Sequence, residues 1–193
     1  MTKRAICIYC GSSPGDDPAY MAAARTMGTL IAERGLPLVY GGGHVGLMGA
    51  AADAALEAGG EVIGVIPRDI LEKEVGHGGV TELFTVDSMH ERKMKMASLS
   101  DSFIALPGGI GTLEEIIEVF TWSQLGFHSK ACAVLNVDGF FDPLFQLLDH
   151  MVSHRFLRQE HRDQLLSADT PEAVLEMVVA HEAVSIDKWM DRG

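Results

Sequence analysis

Apolar positions along the chain follow two alternating periods. Short runs rich in β-branched and small apolar residues, at Ala5–Cys10, Pro37–Tyr40, Glu61–Ile66, Leu83–Val86, Ser102–Leu106 and Ala131–Asn136, read as strands. Between them apolar residues recur every three to four positions, which predicts helices over Pro18–Arg34, Leu47–Ala58, Met89–Ser100 and Thr112–Leu125. Beyond the sixth strand, Asp142-Pro143 opens a helix reaching about His154, and Thr170-Pro171-Glu172 opens another ending near His181. Strands that alternate with helices imply parallel pairing with both faces covered, hence an α/β, doubly wound parallel sheet. No linker, composition shift or internal repeat divides residues 1–193, so a single domain is expected.

Fifteen Lys and Arg stand against twenty-seven Asp and Glu, a formal net charge of −12. Such a field repels polyanions, so no nucleic-acid partner is expected. The densest basic cluster, Arg92-Lys93 with Lys95, suits a single phosphate group. No apolar run approaches the ~20 residues of a membrane span, and Met1-Thr2-Lys3-Arg4 leads into a strand without an apolar leader. A cytoplasmic protein without a membrane partner is expected. Cys7, Cys10 and Cys132 are an odd number and read as reduced thiols. Cys7 and Cys10 lie on a strand, where residues three apart face opposite sides, so they do not form a redox pair.

In a doubly wound sheet, ligands bind outside the carboxyl ends of the strands, and three turns there carry chemistry. Gly11-Ser12-Ser13-Pro14 follows the first strand and combines close backbone approach with hydroxyl donors. Gly41-Gly42-Gly43-His44-Val45-Gly46 satisfies G-x-G-x-x-G between a strand and a helix. The next strand ends in Pro67-Arg68 and lacks the ribose-binding acid of a dinucleotide site, which points to the wall of another nucleotide pocket. Pro107-Gly108-Gly109-Ile110-Gly111-Thr112-Leu113-Glu114-Glu115 exposes successive N–H groups at a helix start, a ready anion site. No Lys-Ser or Lys-Thr pair follows, so the loop binds phosphate without the Walker A arrangement.

Thr112-x-x-Glu115 also has the spacing of a capping box, which would make Glu115 structural. Two acids at a phosphate site oppose anion binding, however, so Glu114 and Glu115 suggest a second task. Ser88-Met89-His90-Glu91 is another capping box, opening a helix on which Met89, Arg92, Lys93 and Met96 share one face. Arg92 stands near the positive end of the helix dipole, which favours a functional role or an acidic neighbour over helix stabilisation.

The run P-G-G-x-G-T-x-x-E at Pro107–Glu115 and M-H-x-R-K at Met89–Lys93 together resemble the LONELY GUY family. Its members are cytokinin riboside 5′-monophosphate phosphoribohydrolases, often mislabelled lysine decarboxylases. The similarity runs from Ile6–Ser13 through Tyr40–Gly43 to Trp122. It implies a Rossmann-like homodimer that hydrolyses the N-glycosidic bond of adenine-type nucleoside 5′-monophosphates to free base and ribose 5-phosphate. By motif position, Arg92 and Glu115 are the implied catalytic pair. Lys93, Gly109, Ile110, Gly111, Thr112, Leu113, Glu114 and Thr121 are implied to line the nucleotide site, and Glu74 falls where the family has a substrate-contacting acid. Gly11, Ser12, Gly42, Gly43 and Met89 are further candidates.

The chemistry suits these residues, because breaking a ribosyl C–N bond builds positive charge on the sugar, which a carboxylate can stabilise while polarising water. Arg92 either orients Glu115 or clamps the ribose phosphate. No metal or organic cofactor is required, and the histidines are scattered. A pyridoxal-phosphate decarboxylase would need a Schiff-base lysine in an active-site setting, and Lys130 has no supporting motif. The alternative on the same fold is a non-catalytic carrier of a nucleotide or phosphorylated cofactor.

Overall fold

The computed structural model describes residues 4–71 and 76–182. In chain order it contains β1 (Ile6–Tyr9), α1 (Pro18–Glu33), β2 (Leu38–Tyr40), α2 (Gly46–Glu57), β3 (Val62–Pro67), α3 (Arg68–Leu71), β4 (Glu82–Val86), α4 (Met89–Leu99), β5 (Ser102–Ala105), α5 (Ile110–Gln124) and β6 (Ala131–Leu135). A 3-10 turn (Val137–Gly139), α6 (Asp142–Ser153), α7 (Gln159–Arg162), β7 (Leu165–Ala168) and α8 (Pro171–Val179) follow.

The seven strands form one sheet in the order β4-β3-β2-β1-β5-β6-β7, every pair parallel. The doubly wound α/β expectation is met. Seven strands replace the six read from the sequence, because β7 pairs with β6 from Cys132↔Leu165 to Leu135↔Ala168. Its four residues, Leu-Leu-Ser-Ala, lie at the sheet edge with only Leu165 fully buried, so they carry no continuous apolar run. β1 packs between β2 and β5, and successive connections diverge to either side of it. That divergence opens a crevice at the carboxyl ends of β1 and β5, where doubly wound sheets bind ligands.

Side-chain alternation divides the core into two layers. Ile6, Ile8 and Cys10 join Leu38 and Tyr40 with residues of α1, α2 and α8 on one face. Ala5, Cys7 and Tyr9 join Val39 and Phe103 with residues of α4, α5 and α6 on the other. Cys7 and Cys10 therefore lie on opposite faces, both as free, buried thiols. Among the described residues no helix is long and apolar enough to cross a membrane.

Polar residues at the helix starts set several boundaries. Asp17 accepts the N–H of Ala19 at 2.8 Å with Pro18 at the first helical position of α1, and Thr170 accepts that of Ala173 at 3.3 Å before Pro171. At α4, Ser88 accepts the N–H of Glu91 at 3.2 Å, while Glu91 reaches back to the N–H of Asp87 at 2.9 Å, one residue beyond a reciprocal capping box. The other expected capping box is absent. α5 begins at Ile110 with Gly109 as an extended N-cap that supplies no side-chain bond, so Thr112 lies inside the first turn.

Candidate active site

Three turns meet at the crevice. Gly11 donates its N–H to the Pro107 carbonyl at 3.1 Å and accepts from Leu47 N–H at 3.0 Å, which ties the ends of β1, β5 and the start of α2 together. Gly108 makes that approach possible. A Cβ there would stand 2.2 Å from Thr112 Oγ1 and 2.7 Å from Gly11 N, closer than any side chain tolerates. Thr112 is buried against this glycine, and the threonine of the motif therefore serves packing of the turn. The N-termini of α2 and α5 both reach the crevice, and neither has a side-chain cap. At α2 the Leu47 N–H is already given to Gly11, so it is the N–H groups and dipole at the start of α5 that are available to an anion.

A cavity of about 160 Å³ opens here, lined by Cys10, Gly11, Ser12, Met48, Met89, Arg92, Gly109, Gly111, Thr112, Glu114 and Glu115. Arg92 and Glu115 come from different helices, α4 and α5, yet share this cavity, and both are buried, at 6% and 9% exposure. The Arg92 guanidinium donates from Nη2 to the Gly41 carbonyl at 3.1 Å and from Nη1 to Met89 Sδ at 3.9 Å, while its buried Nε has no partner. Cys10 forms the floor. Burial pushes its thiol far above the ordinary range, with Glu115 adding to the shift, so Cys10 is no nucleophile at neutral pH.

A second cavity of about 290 Å³ adjoins the first across Gly11, Ser12 and Gly109 and is walled by Pro14, Tyr20, Leu47, Pro107 and Phe140. Tyr20 and Phe140 meet edge to face at 5.6 Å.

The other expected residues have different settings. Lys93 does not reach the cavity. It is buried between α4 and α5, with Nζ 2.5 Å from Glu114 Oε1 and 3.0 Å from Glu118 Oε1. Burial works against its charge, but the bonds and charges of the two glutamates outweigh that and raise its pKa above the ordinary value. Ile110 and Leu113 project outward at 83% and 36% exposure, so that only the turn around them borders the crevice. Thr121 donates to the Ile117 carbonyl at 2.7 Å and lines a separate apolar groove of about 480 Å³ between α5 and α6. Glu74 lies outside the described residues.

Gly42 and Gly43 are also away from the cavity. Gly42 accepts the N–H of His77 at 3.0 Å, and Gly43 bridges to Gly76, so this turn holds the segment that follows β3. His44, Asp53 and His77 bring donor atoms within 4.8 Å of one another. Gly79 N–H donates to His77 Nδ1 at 3.1 Å, so the ring proton sits on Nε2, which donates to Asp53 Oδ1 at 2.9 Å. The His77–Asp53 bond ties the segment after β3 to α2.

Sequence reading did not place Cys10, Met48, Tyr20 or Phe140 at the site. Cys10 ends a strand and Met48 starts the helix after the glycine turn, positions that mark both as neighbours of a crevice. Phe140 carries no such local signal, since it arrives from the connection after β6.

A family model described as possible lysine decarboxylase matches residues 48–178. The cytokinin riboside 5′-monophosphate phosphoribohydrolase LOG of Oryza sativa subsp. japonica is 49% identical over 175 residues, 90% of this chain and 72% of its own length. LOG2 of Arabidopsis thaliana, with the same activity in its name, is 43% identical over 91% of this chain and 82% of its own. Among solved structures, a molybdenum cofactor binding protein from Rippkaea orientalis is 25% identical with a TM-score of 0.71, covering 93% of this chain and 98% of its own. The match over more than half the chain, the near-half identity to plant LOG proteins, and the convergence of Arg92 and Glu115 on one cavity place this chain in the LONELY GUY family.

Proposed function

We propose that the chain hydrolyses the N-glycosidic bond of adenine-type nucleoside 5′-monophosphates, cytokinin riboside monophosphates or AMP, releasing free base and ribose 5-phosphate. The observation that carries this reading is the meeting of Glu115 and Arg92 in one cavity beside the uncapped start of α5. The substrate phosphate sits on the N–H groups around Gly109–Thr112, with the Ser12 hydroxyl beside them. Anchoring it there spends binding energy from a non-reacting group on placing the ribose. As the C1′–N bond breaks, its electron pair leaves with the base, which takes up a proton. The Glu115 carboxylate stabilises the oxocarbenium charge and accepts a proton from the water that attacks C1′. Arg92 keeps its buried, unpartnered Nε edge for the ligand.

The carrier reading draws on the molybdenum cofactor binding protein, which shares the fold. It is the weaker one, because a buried carboxylate in a phosphate site opposes plain anion binding and gains a purpose only from catalysis. Incubation with AMP and with isopentenyladenosine monophosphate, followed by chromatography of free base, separates the two. Wild type releases base, whereas Glu115→Gln, folded and still binding nucleotide, loses about 10²–10⁴-fold in kcat. Saturable binding without release of base from either substrate would establish the carrier instead.

The assembly is a homodimer through the groove between α5 and α6. Ile110 and Phe156 at its rim are 83% and 87% exposed, and Leu147 is 50% exposed, an apolar concentration that soluble surfaces cover. The groove shares Glu114 with the cavity, so that a partner would border the nucleotide site. At about 160 Å³ the cavity alone falls below the ~300–1,000 Å³ usual for ligand pockets, consistent with a site completed by its surroundings. Reduced, buried cysteines suit a cytoplasmic location.

A further inference from the structure

The first glycine of the Gly41-Gly42-Gly43 turn has a setting unlike its neighbours. Gly42 adopts a φ of +80°, which by itself accounts for a glycine, whereas the φ of Gly41 lies outside the left-handed region and suits any residue. What Gly41 lacks is room. A Cβ at this position would stand 1.9 Å from Arg92 Nη2, 3.0 Å from Cζ and 3.2 Å from Met48 Sδ. The same Nη2 donates to the Gly41 carbonyl at 3.1 Å. The guanidinium thus lies against this one peptide unit, held by its oxygen and admitted by its missing side chain.

We propose that Gly41 is a positioning residue that seats the Arg92 guanidinium. The inference rests on the phosphoribohydrolase reading for what Arg92 does, and on the geometry alone for where Arg92 is held. Fifty-one residues separate the two, so nothing in the motif around Arg92 announces the contact. The atoms a new Cβ would meet most closely belong to the far end of a flexible side chain, not to backbone. Alanine at 41 therefore leaves the fold and moves the guanidinium. Reaching ordinary contact, 3.4 Å, from 1.9 Å takes a displacement of about 1.5 Å, and the group is too buried to swing into solvent. It shifts into the cavity and loses the Gly41 carbonyl. A misplacement of roughly 1 Å can cost about 10²-fold in rate.

The test is a cycle of Gly41→Ala, Arg92→Ala and the double variant, with kcat and KM on AMP or isopentenyladenosine monophosphate, melting temperature, and the Arg92 Nε–Hε NMR signal, assigned by its loss in Arg92→Ala. Gly41→Ala lowers kcat about 10²-fold, changes KM less, and moves the Nε–Hε signal. In the Arg92→Ala background the same substitution changes kcat by less than about threefold, since the group it displaces is gone. An unmoved signal, or an equal loss of kcat in both backgrounds, overturns the proposal. If Gly41→Ala does not fold, recovery of folding in the double variant supports the seat and continued failure refutes it. If wild type releases no base, the moved signal still establishes the seat, and the enzyme reading alone falls.

Discussion

Replacing Lys93 by methionine removes one charge while keeping most of the apolar stem, and its outcome separates a structural lysine from a ligand-binding one. Lys93 is 8% exposed and bridges Glu114 and Glu118 across the α4–α5 interface. The Glu114 side chain is 49% exposed and returns to water when its partner goes, so that bridge is worth about 0–1 kcal/mol. Glu118 is 27% exposed, and its Oε2 is already buried without a partner. Stranding a buried charge costs about 3–5 kcal/mol, which the remaining exposure of Glu118 reduces. The expected loss is about 2–3 kcal/mol. For a chain of this size each kcal/mol moves the melting temperature by about 2–4 °C, so Lys93→Met melts about 5–10 °C below wild type at pH 7.

The pH dependence has a definite sign. The lysine pKa is raised in the fold above its ordinary 10.5, so its contribution is complete below that value and is lost as pH rises through the higher folded value. Thermal unfolding followed by circular dichroism should show a constant gap between variant and wild type from pH 7 to about 9, narrowing only above the ordinary lysine pKa. KM for the nucleotide, measured well below both transitions, changes less than about threefold. A variant that melts with wild type while its KM rises tenfold or more would refute this reasoning and restore Lys93 to the nucleotide.

Three further outcomes follow from the same structure. Burial pushes the Cys7 and Cys132 thiols from 9.0 to about 12, so they resist a chromogenic disulfide reagent at pH 8 until the protein unfolds. Unfolded thiols ionise first, so stability falls as pH rises from about 9 towards 12, and Cys132→Ala flattens that decline in the unfolding curve. Gly108→Ala forces backbone apart where Gly11 N and Thr112 meet it, at a cost of about 1–3 kcal/mol, and calorimetry should show nucleotide affinity falling at least tenfold. Asp at both Ile110 and Phe156 puts two charges on the apolar rim between α5 and α6; on the proposed assembly, light scattering should report a dimer for wild type and a monomer for this variant.

Local rules made much of this protein legible in its sequence. The switch between strand and helix periods located six of the seven strands, because near-continuous apolar runs can satisfy only strands covered on both faces. Ser88 and Thr170 marked helix starts, since a cap depends on residues within three positions of itself. The glycine turns after β1, β2 and β5 pointed to the crevice, and two of them wall it. The sequence alone could not locate β7, whose pairing with β6 supplies the order its four residues lack.

Tertiary structure decided what the same residues do. Adjacent in sequence, Arg92 and Lys93 were read as one basic pair. On α4 they part, Arg92 to the cavity and Lys93 to a clasp with Glu114 and Glu118. Thr112 and Glu115 fit a capping box by spacing, yet the helix starts two residues earlier because Gly108, packed on Gly11, has already turned the chain. Gly42 turns the backbone, while Gly41 makes room for a side chain that arrives from fifty-one residues away. Spacing along the chain specifies which residues share a helix face or a turn. Which of them meets a ligand depends on contacts between elements far apart in sequence, and those exist only once the sheet has brought the ends of β1, β2 and β5 together.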